Sequence, residues 1–319
     1  MIILRTYRIL MACLWSCQFA SCGLIYDYPD ACGDIGLTIS NDWSAAPDAS
    51  PQGMAYIFYG NDDAQPWRFD FPGAEAGAVM LPEGLYGFVS YSDDSYHILV
   101  DGDSYSTLKA HTWPARLPHD ADGARNVVES PDMLWGCTYC KVDVSYDGLS
   151  YIPSFNSCDD AVWPEDNVLT AHQRQITPHY RLRIDEVENL GGVSSMSGAL
   201  SGMAGGYVFS SGRVYAYPYT LTFAAGAIDD TTIGGDFCTF GLPENPDEPN
   251  TLYLFVRLVD GRAFEYRFDV TDQVRNAPDP MSVLIALKGL VLEKPDSGAQ
   301  GGFDVGVDGW ITVDVDIND

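Results

Sequence analysis

The stretch Phe264-Glu265-Tyr266-Arg267-Phe268-Asp269-Val270 alternates apolar and charged residues without a break. A period of two sends successive side chains to opposite faces, so this segment fits a half-buried strand and no helix. The run Leu252 to Leu258 repeats the pattern, and the turn Asp260-Gly261-Arg262 between them predicts a hairpin. Further strands are expected at Gly36 to Ser40, Ala55 to Tyr59, Trp67 to Phe71, Lys141 to Tyr146, Tyr180 to Asp185 and Tyr217 to Phe223. Ala78 to Leu81 and Leu85 to Tyr91 read as a second hairpin about Pro82-Glu83-Gly84. A single short helix is expected at Val274 to Ala277, where Pro278 stops it. Strands punctuated about every ten residues by Asp, Gly and Pro predict an all-β chain of sandwiches.

The strand pattern pauses between Asn156 and Asn167, an acidic, proline-bearing stretch, and then restarts. This predicts two tandem β-sandwich domains, residues 22–165 and 166–319. They follow a leader at 1–21. Arg5 and Arg8 precede the apolar run Ile9 to Trp15, which has the layout of a secretory signal and is too short to cross a bilayer. No later window holds the ~18 uncharged apolar residues a spanning helix needs.

Phe19-Ala20-Ser21-Cys22 closes that leader and resembles the lipobox of bacterial lipoproteins. The resemblance implies a lipid on the Cys22 sulfur, a mature chain beginning there, and an outer-membrane location with cell-surface display open. Each acyl CH₂ placed in the bilayer contributes about 0.8 kcal/mol, so more than one chain gives stable anchoring. Asp27 and Asp30 are the acids nearest the cysteine.

Charge removes one class of partner. The 319 residues hold 17 Lys+Arg against 45 Asp+Glu, a formal net charge of -28. Such a surface repels phosphate backbones, so nucleic acid is not expected as a partner.

Chemistry-bearing motifs are sparse. Cys137-Thr138-Tyr139-Cys140 has the spacing of a redox pair, but a strand rather than a helix follows it. Cys158 and His172 would be needed to complete a zinc site, and Ala161 stands where a second Cys pair would close. Cys32, Cys137, Cys140, Cys158 and Cys238 are odd in number beyond Cys22, so at least one thiol stays unpaired. His119-Asp120-Ala121-Asp122-Gly123 with Glu129 partly mimics a calcium loop, but Pro118 takes the first ligand position. Neither a Gly-x-Ser-x-Gly elbow nor a phosphate-binding loop is present. The expectation is no catalytic residue, metal site or cofactor, and no enzyme. Trp113, Trp163 and Trp310 are candidates for stacking on sugars or for closing sandwich ends.

Three stretches carry a family resemblance. They are Ser130-Pro131-Asp132-Met133-Leu134-Trp135-Gly136, Leu200 to Gly206 following Gln175-Ile176-Thr177-Pro178-His179-Tyr180-Arg181-Leu182, and the terminal run Gly302 to Ile317. With the lipobox, they resemble the fimbrillin-like proteins of Bacteroidales, and among them a lipid-anchored branch without assigned function. The resemblance implies two transthyretin-like sandwiches and a role in cell adhesion or in type V pili, with fimbrial subunits or surface ligands as partners. It also implies strand donation, for which Ile311, Val313, Val315 and Ile317 are the candidate residues. Stalk subunits of such pili are cut after a basic residue. The first one here past the leader, Arg68, sits inside the strand-like Trp67 to Phe71, so an uncut anchor or accessory subunit is expected. The alternative from another class is a surface glycan-binding lipoprotein.

Overall fold

The computed structural model describes residues 34–60, 65–119, 126–153, 161–296 and 309–315. Cys22 and Ile317 lie outside them, as do Cys32, Cys158, most of the calcium-like loop and the segment 302–308. Among the described residues the helical pieces are the short helix Thr271–Arg275 and the single turn Leu190–Gly192, and the rest is strand and loop. The chain is all-β, as its alternation predicts.

The first body packs two sheets. Asp34–Asp42 lies between Val168–His172, parallel to it, and Ala78–Pro82, antiparallel. Opposite runs a larger sheet in the order Gly148–Ile152, Trp135–Ser145, Gly84–Ser92, Gly53–Gly60, Trp67–Pro72. Leu37, Ile39, Tyr56, Phe58, Phe88 and Tyr139 fill the space between. Gly53–Gly60 is apolar on both faces, and a second cluster of Ile57, Val89, Tyr91, Leu108, Tyr207 and Phe209 covers its far side. A strand buried on both sides needs an unbroken apolar run rather than alternation, and Met54 to Tyr59 supplies it.

The second body is also a sandwich. One sheet runs Gly226–Asp229, Thr232–Cys238, His179–Asp185, Ser282–Lys288. The other runs Trp310–Asp314, Ala263–Asp269, Thr251–Leu258, Val193–Ala204, Pro218–Phe223, Val127–Glu129. The expected hairpin forms, with Leu252, Leu254 and Val256 opposite Phe268, Tyr266 and Phe264. All six side chains enter the core. Gly261 turns the chain at φ 92, a conformation that disfavours a β-carbon.

The expected pairing of Ala78–Leu81 with Leu85–Tyr91 does not form. Ala78–Pro82 pairs with Asp34–Asp42, whereas Gly84–Ser92 joins the opposite sheet between Gly53–Gly60 and Trp135–Ser145. Pro82-Glu83-Gly84 therefore carries the chain across the sandwich. The burial patterns explain this. Ala78–Pro82 buries alternate residues only, while the second half of Gly84–Ser92 is buried on both faces and needs a central position.

Strand pairing crosses residue 165 in four places. Val168–His172 and Arg174–Gln175 join sheets of the first body. Lys109–Thr112 pairs with Gly206–Val208, and Val127–Glu129 pairs with Pro218–Phe223. The two bodies thus share backbone hydrogen bonds as well as a linker.

Candidate functional site

The terminal strand Trp310–Asp314 ends the larger sheet of the second body, parallel to Ala263–Asp269. Ile311 stands opposite Phe264 and Val313 opposite Tyr266, so these two residues of the predicted donor set share the core-facing side. Val313 and Val315 pack against the core while Ile311 stays 49% exposed. Trp310 and Thr312 face outward, next to Ala263 and Glu265.

The same outward face carries a cleft of about 670 Å³ where the two bodies meet. Ser197, Thr222 and the buried Phe255 are among the residues that line it. One wall comes from the first body. Asp132 accepts hydrogen bonds from Ser95 Oγ (2.7 Å), Tyr96 N (2.9 Å) and His97 N (3.0 Å), and its other oxygen lies 2.9 Å from His97 Nδ1. Burial would raise the Asp132 carboxyl, but these bonds outweigh it and hold the group below its ordinary range. The same partner raises His97 above its usual value. The facing wall sets His179 Nε2 3.3 Å from Asp236. Both residues start from adjacent strands, with His179 opposite Cys238 and Arg181 opposite Asp236. Glu129 and Arg116 line the rim. A smaller hollow of about 300 Å³ continues the cleft past Pro118, Ser197 and Phe255 to Arg257 and Trp310.

Among the described residues the cysteines do not assemble a reactive centre. Cys137 and Cys238 are free thiols. Burial pushes Cys137 up to about 12 and Cys238 up to about 11, so both remain protonated at neutral pH and are poor nucleophiles. Cys137 and Cys140 lie on one strand, Trp135–Ser145. Among the described residues no group of three or more His, Cys, Asp or Glu side chains is placed to hold a metal. His172 pairs instead with Asp42 at 2.8 Å. Trp113 and Trp163 are exposed at 50% and 74% and are not among the residues that line the cleft. Arg68 lies in the paired strand Trp67–Pro72, where Nη1 donates to Tyr91 at 3.0 Å and the guanidinium also meets Asp70 and Asp93. No helix among the described residues is long and apolar enough to cross a membrane.

Of the residues that line the cleft and its continuation, the sequence reading raised Glu129, within the calcium-like motif, and Trp310, as a candidate for stacking on sugars, and it assigned a site to neither. A weak signal existed, because Asp132 and His179 both fall inside stretches that carry the family resemblance.

A family model described as "Domain of unknown function (DUF5119)" matches residues 16–224. The chain belongs to this family. A Bacteroides ovatus protein named "Putative fimbrium anchoring subunit Fim4B" is 21% identical to it over 322 residues, covering 90% of this chain and 89% of its own. The crystal structure of a protein described as "a putative adhesin from Bacteroides ovatus" aligns with a TM-score of 0.63 at 20% identity, over 85% of this chain and 96% of that one. The fimbrial anchor protein Mfa2 from Porphyromonas gingivalis aligns over 81% of this chain and 90% of its own, with a TM-score of 0.45 and 15% identity. The resemblance to fimbrillin-like proteins of Bacteroidales stands, and the first of these structures shares the fold.

Proposed function

We propose that this chain is a non-enzymatic anchoring or accessory subunit of fimbriae, held at the outer membrane by a lipid on Cys22. The observation that carries the reading is the terminal strand. Trp310–Asp314 is bound along one edge through five residue pairs and turns Ile311 and Val313 toward the core. A strand so placed exchanges readily. Parallel pairing is slightly weaker than antiparallel, and a half-exposed Ile311 realises only part of the ~1.5–3 kcal/mol that full burial gives. A fimbrial subunit would engage by strand addition, either by taking this strand into its own sheet or by pairing with the sheet edge. Main-chain hydrogen bonds would give affinity, and alternate residues Ile311, Val313, Val315 and Ile317 would set the register.

Two further observations support the reading. The relative that matches 90% of the chain is named as a fimbrium anchoring subunit. Cutting after Arg68 would remove Asp34–Asp42, the central strand of one sheet of the first body, and Gly53–Gly60, an inner strand of the other, which favours a subunit that keeps its N-terminal lipid. The test uses the native cell. In cells producing Cys22→Ala, assembled fimbriae are expected in the medium, whereas wild-type cells retain them. Fimbriae that stay equally cell-bound with the variant would refute the anchoring role.

A further inference from the structure

The smaller sheet of the second body has one regular edge, and a single side chain closes it. We propose that the short helix Thr271–Arg275 is a built-in cover that keeps strand Ser282–Lys288 from pairing with the same strand of a second copy of this chain.

Ser282–Lys288 ends that sheet and lies parallel to His179–Asp185, paired along its whole length without a register shift. Its side chains alternate. Val283, Ile285 and Leu287 are buried, while Leu284 stays 53% exposed. Its peptide groups alternate too. His179 N donates to Met281 O and Gly289 N donates to Asp185 O, each at 2.9 Å. The odd-numbered residues therefore turn their backbone groups to the neighbouring strand, and Ser282, Leu284, Ala286 and Lys288 turn theirs outward. A regular outward row of this kind is a template for another strand. The opposite edge of the same sheet is a poorer one. Gly226–Asp229 has only four residues, with a register shift between Ala227 and Asp229, and a short, bulged edge resists pairing.

The cover acts inside the row. Gln273 Oε1 accepts the Ala286 N–H at 2.8 Å, and Gln273 Nε2 donates to the Ala286 carbonyl at 3.2 Å. A primary amide carries the donor and the acceptor of a peptide group, so this one side chain satisfies Ala286 as a neighbouring strand would. Ser282 N donates to Asp279 O at 3.2 Å within the preceding turn. Among the described residues nothing pairs with the outward groups of Leu284 and Lys288, so Gln273 is what interrupts the row. The helix is pinned in place. Val274 is buried in the core, and Asp269 accepts from Thr271 N (3.0 Å) and Thr271 Oγ1 (2.6 Å). Arg275 Nε donates to Asn250 Oδ1 at 3.0 Å. Asn250 is itself fully buried and donates to the carbonyls of Ser201 and Gly202, each at 3.1 Å.

The strand that matches this edge best is the edge itself. Two copies paired antiparallel about Ile285 set Leu284 opposite Ala286 and Ser282 opposite Lys288, so every outward residue meets an outward residue. Lys288 then lies beside an uncharged partner rather than a like charge. The net charge of -28 on each copy opposes the approach, and salt screens that repulsion.

The test is light scattering after gel filtration of the purified full chain, at about 0.1 M and about 0.5 M salt, with hydrogen exchange read at the Ala286 amide. Wild type should stay monomeric. Gln273→Ala should form dimers that increase with concentration and with salt, and in its monomeric fraction the Ala286 amide should exchange about tenfold faster. Leu284→Pro, added to Gln273→Ala, removes an outward N–H that the folded chain does not use and should restore the monomer. Thermal melts check folding. Gln273→Asn, whose amide is one CH₂ short of Ala286, carries the test if Gln273→Ala fails to fold. A folded Gln273 variant that stays monomeric at both salts would overturn the proposal, as would dimers that Leu284→Pro leaves intact. A wild-type dimer that Leu284→Pro dissolves would show the edge open and overturn it too. The anchoring role would survive each of these results, because it rests on Cys22 and the terminal strand.

Discussion

At the scale of single residues, Gly136 shows how a family-like motif encodes packing. It sits opposite Tyr91 in the strand pair and next to Arg174 on its other side. A β-carbon added there would fall 2.3 Å from the Ser90 carbonyl oxygen, which is backbone and cannot swing away. Gly136→Ala is therefore expected to cost about 1–3 kcal/mol in urea unfolding, and an unchanged midpoint would contradict this. His97 supplies a second residue-level prediction. Its folded value is raised above 6.5, so its stabilisation is complete below 6.5 and fades as pH climbs through the raised value. Asp132 is held below 3.8, so its share is present above 3.8 and is lost as pH falls through the lowered value. The pair thus contributes most between those limits. His97→Gln should destabilise more at about pH 5.5 than at about pH 8. The difference should stay under about 1 kcal/mol, because the pair is partly solvent-exposed. An equal penalty at both values would show that the charge on His97 plays no part.

At the scale of elements, the sequence was legible where a tight turn joined two alternating runs, as at Asp260-Gly261, and illegible where a similar turn did other work. Pro82-Glu83-Gly84 would suit a hairpin equally well as a crossover. Only the distant strands Asp34–Asp42 and Gly53–Gly60, which compete for the two segments, decide between them. The cleft was hidden for the same reason. His97 and Asp132 are 35 residues apart, and the wall that faces them comes from strands beyond residue 178. No local spacing records that meeting. The terminal strand was legible as a strand, and its edge position gives a prediction. Deleting residues 309–319 should leave a folded body, with unfolding free energy lowered by no more than about 3 kcal/mol, because the strand's apolar side chains are only partly buried. Collapse of the cooperative transition would instead make this strand part of the core.

At the scale of the molecule, the sheets on either side of residue 165 are joined by backbone pairing as well as by the chain. Four pairings cross residue 165, so pulling on one half must break backbone hydrogen bonds before the halves part. The net charge of -28 favours solubility of this body, and in the function proposed above attachment falls to a lipid on Cys22. The account therefore turns on the covalent state of one sulfur. Intact mass of the native protein extracted from outer membranes should give a chain that starts at Cys22 and carries acyl groups there. A chain with any other first residue, or with an unmodified Cys22, would contradict it.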